Sequence, residues 1–70
     1  METILINWLE FYTQQPDITP GTEFADLNYD VFDEAMTVDF VKRSFGVNVN
    51  TTEQWFTTVG ALLNAINGDS

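Results

Sequence analysis

The absence of cysteine from a chain of 70 residues is the feature that most restricts its possible folds. A domain this small buries a limited core, so it needs disulfides, a metal, a partner or very consistent helix packing to be stable. Without cysteine there are no disulfides and no thiolate metal sites. Histidine is also absent, while 44% of the residues are hydrophobic. We therefore predict a single domain, residues 1–70, that is held together by packing.

The charge balance restricts the partners of the chain. It carries 11 acidic and 2 basic residues, a net charge of −9. Nucleic-acid backbones are bound by lysine and arginine, and anionic membranes repel acidic surfaces, so neither is an expected partner. The expected partner is a protein with a basic patch, which electrostatic steering would bring in quickly. No apolar run is long enough to span a bilayer, and the first residues lack the basic character of a secretory signal. These features predict a cytoplasmic monomer, and the leading methionine favours a free-standing protein.

Helical spacing of apolar residues predicts a first helix from Met1 to Gln15, which Pro16 ends. Its apolar stripe comprises Ile4, Leu5, Trp8, Leu9, Phe11 and Tyr12. A long connection follows from Pro16 to Tyr29. Within it, Phe24 and Leu27 are expected to pin the loop to the core.

A second helix is predicted to begin after Asp30, a good N-cap residue, with Asp33 in its first turn. Lys42 and Arg43 suit the negative end of the helix dipole in the last turn, and Gly46 is the expected stop. The predicted buried stripe of this helix comprises Phe32, Ala35, Val38, Val41 and Phe45.

Two further helices are predicted. Residues 51–53, Thr-Thr-Glu, are typical of a helix start and predict a brief third helix that runs through Phe56. Thr57 or Thr58 then caps a fourth helix, which ends at Asn67-Gly68 and buries Val59, Leu62, Leu63 and Ile66. The fold class is therefore all-α, with three main helices, one short helix and a long first loop.

Three segments of the chain resemble acyl carrier proteins. Residues 26–33 read Asp-Leu-Asn-Tyr-Asp-Val-Phe-Asp, which is similar to that family's Asp-Leu-Gly, one variable residue, then Asp-Ser-Leu-Asp/Glu. Phe45-Gly46-Val47 resembles the end of the family's second helix, and residues 57–68 resemble its closing helix. The resemblance covers nearly the whole chain. It implies a four-helix acyl-carrier bundle that docks on fatty-acid or polyketide-type biosynthetic enzymes and carries thioesters on a phosphopantetheine arm.

Val31 stands at the position where the resemblance implies the serine that bears this arm. A phosphodiester needs a hydroxyl oxygen, and valine has none. Ser44, Ser70 and Thr37 are too far along the chain or too deep in the helix to replace it. We therefore expect no cofactor in this form, and phosphopantetheine only if Val31 were serine. Two accounts stay open: a serine was substituted to block modification, or a natural carrier-like module lost its arm.

The resemblance also implies that the start of the second helix docks on partner enzymes. The candidate docking residues are Asp30, Phe32, Asp33, Glu34, Met36 and Phe40. Departures from the family pattern favour a specialised pathway, such as polyketide synthesis, over fatty-acid synthesis. These departures are at Asn28, Met36, Asp39, Lys42 and Arg43. The alternative function is an arm-free interaction module that binds or regulates a partner enzyme without cargo.

Other interpretations of these residues are weaker. Asp26, Asn28 and Asp30 match the first three ligand positions of a calcium-binding EF-hand loop, but Val31 and Thr37 stand where glycine and glutamate are required. The acidic run also fits a solvated surface. The aromatic residues at helical spacing are interpreted as core rather than as a ligand cage: Trp8, Phe11, Phe45, Trp55 and Phe56. Without histidine, cysteine or a serine beside a base, the chain is not expected to be an enzyme.

Overall fold

The computed structural model describes residues 1–49 and 54–68. These residues form three α-helices: α1, Glu2–Thr13; α2, Val31–Phe45; and α3, Val59–Asn67. One turn of 3₁₀ helix, Phe24–Leu27, lies in the long connection between α1 and α2. Within the described ranges there is no strand, only an isolated bridge between Glu23 and Thr58. The all-helical class is therefore confirmed for this part of the chain.

Two predicted helix boundaries differ from the structure. Helix α1 ends at Thr13 rather than Gln15, because Gln14 adopts a left-handed backbone with φ of 59° that cannot continue the helix. The predicted short helix begins at residues 51–53, which lie outside the described residues. Its remaining residues, Gln54 to Phe56, are not helical.

The predicted caps of α2 and α3 are confirmed. The Asp33 N–H donates to Asp30 Oδ1 at 2.9 Å, and the Asp30 N–H donates to Asp33 Oδ2 at 3.0 Å, so the two residues form a reciprocal capping box. Gly46 ends α2 with a left-handed φ of 70°. Of the two candidate caps for α3, Thr58 is the one used, since its Oγ1 accepts from the Ala61 N–H at 3.1 Å.

The long connection is fastened to the start of α3. The Phe24 N–H donates to the Thr57 carbonyl, and the Gly60 N–H donates to the Pro20 carbonyl at 2.7 Å. A Cβ at position 60 would lie 3.0 Å from that carbonyl oxygen, so the close approach depends on glycine. Phe24 is buried and Leu27 packs against the core, which confirms that these two residues pin the loop.

The core sits between the three helices and this loop. All four predicted residues of α3 are buried, as are Leu5 and Leu9 of α1 and Val41 of α2. The buried residues also include Ile18, Phe24 and Val49. Trp8, Phe45, Trp55 and Phe56 pack against this core while partly exposed, so the core interpretation holds for four of the five aromatic residues.

The prediction was wrong for four apolar residues. Ile4 is 55% exposed, Phe11 is 73% exposed and Phe32 is 80% exposed. Ala35 is exposed as well. Each helix buries only the narrow face that meets its neighbours, so an apolar stripe wider than that face leaves its edges in solvent.

The buried face of α2 is centred on Thr37 and Val41, both 0% exposed. Thr37 is a polar residue that the apolar pattern omitted. Its hydroxyl is satisfied inside the protein, because Oγ1 donates to the Asp33 carbonyl at 2.8 Å and also pairs with the Tyr29 hydroxyl. This shifts the buried face of α2 away from Phe32.

We expect Asp30→Ala to lower the free energy of unfolding by about 1 kcal/mol, because the α2 N-terminus loses its side-chain acceptor. Urea denaturation followed by circular dichroism measures the change. Asp26→Ala is the matched control, since it removes an exposed carboxylate that accepts no hydrogen bond from the described residues. An equal loss in both variants would contradict the capping role.

Candidate functional site

Large apolar side chains are exposed in the first two turns of α2. Val31, the first residue of the helix, is 73% exposed, and Met36 is 51% exposed. Phe32 is still more exposed and lies one helical turn from Met36, so these two side chains share a face of α2, while Val31 precedes them at the helix start. Grouped apolar side chains on the surface of a small protein mark interaction sites, whereas scattered ones do not. We call Val31, Phe32 and Met36 the α2 apolar surface.

Carboxylates border the α2 apolar surface. Asp30 is exposed and Asp33 is partly exposed, both fixed in place by the capping box. Asp39 is paired with Arg43 at 3.0 Å, but both side chains are largely in solvent, so the pair adds little stability. The surface therefore combines apolar contact area with negative charge at the helix N-terminus.

Asp33 also connects α2 to α1. The Tyr12 hydroxyl donates to Asp33 Oδ1 at 2.6 Å, while Asp33 Oδ2 accepts the Asp30 N–H. The Tyr12 hydrogen bond, followed by the bond from the Asp30 N–H, lowers the pKa of Asp33 below its usual value. The same bond to a carboxylate raises the pKa of Tyr12. Asp33 therefore stays ionised and Tyr12 stays neutral where the two helices meet.

Phe40 lies where the α2 apolar surface meets α1. Its ring stacks on Trp8 with centroids 4.4 Å apart, and Trp8 stacks on Tyr12 at 4.9 Å. Ile4 and Phe11 are four and three residues from Trp8, so helical spacing places them on its side of α1. Exposed apolar groups thus continue from α2 onto α1. Sequence reasoning missed Ile4 and Phe11 as surface residues; the width of the α1 stripe was the available signal.

Glu34 lies apart from the other candidate docking residues. It is two positions from both Phe32 and Met36, which in an α-helix is a rotation of about 200°. Its side chain instead lines a cavity with Tyr29 and Trp55. The structure thus groups Asp30, Phe32, Asp33, Met36 and Phe40 on the side of α2 that faces α1 or solvent, and leaves Glu34 on the opposite side.

Val31, where the family resemblance implies an attachment serine, does not fit a phosphopantetheine arm. Val31 is accessible at the helix N-terminus, but its side chain is a hydrocarbon without a hydroxyl oxygen. Thr37 cannot substitute, since its hydroxyl is buried and hydrogen-bonded. Ser44 is exposed in the last turn of α2, at the opposite end of the helix.

Residues 1–49 and 54–68 contain no group of three or more acidic, histidine or cysteine side chains arranged to hold a metal ion. None of the helices in these ranges is long and apolar enough to cross a membrane. No protein-family model, curated protein or solved structure matches the chain.

We expect Tyr12→Phe to raise the pKa of Asp33 toward its ordinary value, because the carboxylate loses its strongest hydrogen bond. In the unaltered chain, the lowered pKa of Asp33 stabilises the folded state at pH values above the pKa that Asp33 has in the unfolded state. This stabilisation is lost as the pH falls through the folded-state pKa. Tyr12→Phe should therefore lose less stability on acidification than the unaltered chain. NMR titration of the Asp33 carboxyl carbon measures the shift.

The control for this titration is Phe11→Leu, which changes the adjacent exposed ring and leaves the Tyr12 hydroxyl in place. It should not change the Asp33 curve. An unchanged Asp33 curve in Tyr12→Phe would mean that the capping box alone lowers the pKa.

Proposed function

We propose that the chain is a small carrier-type domain, with a four-helix acyl-carrier arrangement, that docks on a fatty-acid or polyketide-type biosynthetic enzyme. It acts as a cytoplasmic monomer, is not itself an enzyme, and in this form takes no phosphopantetheine arm. The observation that carries the proposal is the exposed Val31 at the first residue of α2, beside exposed Phe32 and Met36 and the carboxylates of Asp30 and Asp33.

The order of elements supports this proposal. The chain has, in order, a first helix, a long connection with one 3₁₀ turn, a capped second helix and a closing helix. This order follows the arrangement that the family resemblance implies. The brief third helix of that arrangement would begin at residues 51–53, which lie outside the described residues, and its predicted remainder, Gln54 to Phe56, is not helical. The four-helix arrangement therefore remains part of the proposal. Asn28 replaces the family's glycine, yet it adopts a left-handed backbone with φ of 55° that asparagine tolerates. That departure therefore leaves the local backbone intact.

The docking partner is a protein surface with an apolar centre and a basic rim. The apolar centre would cover Phe32 and Met36, and the rim would face Asp30 and Asp33. Burial of the apolar groups supplies most of the affinity, while opposite charges raise the association rate and select the partner. The net charge of −9 also disfavours docking between two copies of the chain.

The alternative is an arm-free interaction module that holds or regulates a partner enzyme. The observation that favours it is the chemistry of Val31, whose exposed hydrocarbon extends the α2 apolar surface up to the helix N-terminus. In a module of this kind, valine is a contact residue rather than a lost attachment site.

We expect Val31→Ser to gain the mass of one phosphopantetheine arm when incubated with a phosphopantetheinyl transferase and coenzyme A, because serine supplies the missing hydroxyl at an exposed helix N-terminus. Intact-mass spectrometry measures the gain. The unaltered chain and Val31→Ala are controls that should gain nothing. If Val31→Ser also gains nothing, the surrounding surface is not recognised, and the interaction module becomes the better account.

We expect Met36→Ala, made together with Val31→Ser, to lower kcat/KM for this modification by about three- to tenfold, since half-exposed Met36 would lose apolar contact with the transferase. Circular dichroism should show unchanged helicity. The matched control is Asn64→Ala, a substitution of an exposed residue on α3 that should leave kcat/KM unchanged. Equal rates for Met36→Ala and the control would remove Met36 from the docking surface.

A further inference from the structure

A cavity of about 280 Å³ lies between the 3₁₀ turn, the first turn of α2 and the residues that precede α3. Its wall includes four aromatic rings and two carboxylates, from Glu23, Phe24, Tyr29, Glu34, Trp55 and Phe56. It is on the opposite side of α2 from Phe32 and Met36, because Glu34 differs from each of them by about 200° around the helix. The residues that line the cavity do not include any of the three residues of the α2 apolar surface.

The aromatic rings of this wall form one connected cluster. Trp55 is 5.5 Å from Phe24, 6.1 Å from Tyr29 and 5.3 Å from Phe56 between ring centroids. Tyr29, Trp55 and Phe56 remain partly exposed, so the cluster is not sealed inside the core. The faces of aromatic rings carry partial negative charge and attract cations within about 6 Å, most strongly for tryptophan.

The two carboxylates add full negative charge to the same cavity. Glu23 is exposed, and Glu34 is partly buried close enough to Tyr29 to help raise the pKa of its hydroxyl. Burial is the main cause of that increase, which brings the pKa of Tyr29 to about 12, so the ring stays neutral. Aromatic faces combined with carboxylates favour an organic cation over a neutral or anionic ligand.

The size of the cavity limits the ligand. Its volume of about 280 Å³ is just below the range of about 300–1,000 Å³ that is typical of pockets for drug-sized molecules. A single basic side chain or a small amine matches this space better than a larger cofactor. A hydrated metal ion is a poorer match, because half of the lining residues are aromatic and only two carboxylates are available as ligands.

Trp55 supplies an independent observation. Its indole N–H is buried and has no hydrogen-bond acceptor among the residues that the structure describes. Buried polar groups are nearly always paired, so this donor would be stabilised by an added acceptor. A peptide carbonyl beside a basic side chain would bring such an acceptor together with the cation.

We propose that this cavity binds the guanidinium or ammonium group of a basic side chain, with the charge between Glu23 and Glu34 and the alkyl stem against Trp55. A free small amine offers the same cation without the peptide carbonyl. This inference goes beyond the proposed docking function and does not depend on Val31 or on the α2 apolar surface.

The test is a titration of ¹⁵N-labelled protein with arginine blocked at both ends as N-acetylarginine methylamide, followed by NMR. The indole N–H resonance of Trp55, assigned with Trp55→Phe, and the amides of residues 23–25 should shift and saturate. Blocked citrulline, a neutral molecule of nearly the same shape, is the matched ligand control and should cause no saturable shift. Methylguanidinium distinguishes the two sources of the cation: equal affinity indicates a free amine, and weaker affinity than blocked arginine indicates a peptide-borne side chain.

Charge variants test the position of the site. Glu34→Gln should weaken blocked-arginine binding by about two- to fivefold, the effect of one partly exposed charge pair, and added salt should weaken it further. Glu2→Gln removes the same charge from the exposed start of α1 and should leave the affinity unchanged. Equal effects of these two substitutions, or equal shifts with arginine and citrulline, would overturn the proposal. Neither outcome bears on whether Val31→Ser accepts an arm, so the two proposals can fail separately.

Discussion

The position of the α2 N-terminus depends on the carboxylate of Asp33. One oxygen accepts the N–H of Asp30 and completes the capping box, while the other accepts the hydroxyl of Tyr12 on α1. The main-chain carbonyl of the same residue accepts from Thr37, which faces the core. A single residue thus takes part in the cap of α2, in its contact with α1 and in the hydrogen bond to buried Thr37. Val31, Phe32 and Met36 are exposed because the buried face of α2 is centred on Thr37 and Val41.

Helix α2 separates two surfaces of different chemistry. One combines exposed apolar side chains with carboxylates and continues past Phe40 and Trp8 onto α1. The other is a small cavity with aromatic and acidic walls around Trp55. The interactions proposed for them differ: apolar burial on the first, and cation binding by rings and carboxylates in the second. A partner that used both would have to reach around α2.

Local signals predicted much of the helical framework. Asp30, Gly46 and Thr58 act within one turn of the chain, so the residues themselves indicate where α2 begins and ends and where α3 begins. The apolar stripe of α3 was predicted in full because that helix is covered on a single well-defined face. The end of α1 was less predictable. It was predicted to lie just before Pro16, but the helix ends earlier, where Gln14 adopts a left-handed backbone.

The sequence by itself determined the covalent chemistry: Val31 has no hydroxyl, and no fold can supply one. It also determined the net charge of −9. Only the tertiary structure decided which apolar residues are buried, because that depends on the width of the face that neighbouring helices cover. Phe11 and Phe32 therefore lie in solvent, and the buried face of α2 is centred on Val41 and on Thr37, which the apolar pattern omitted. The cavity around Trp55 likewise exists only because the fold brings distant residues together.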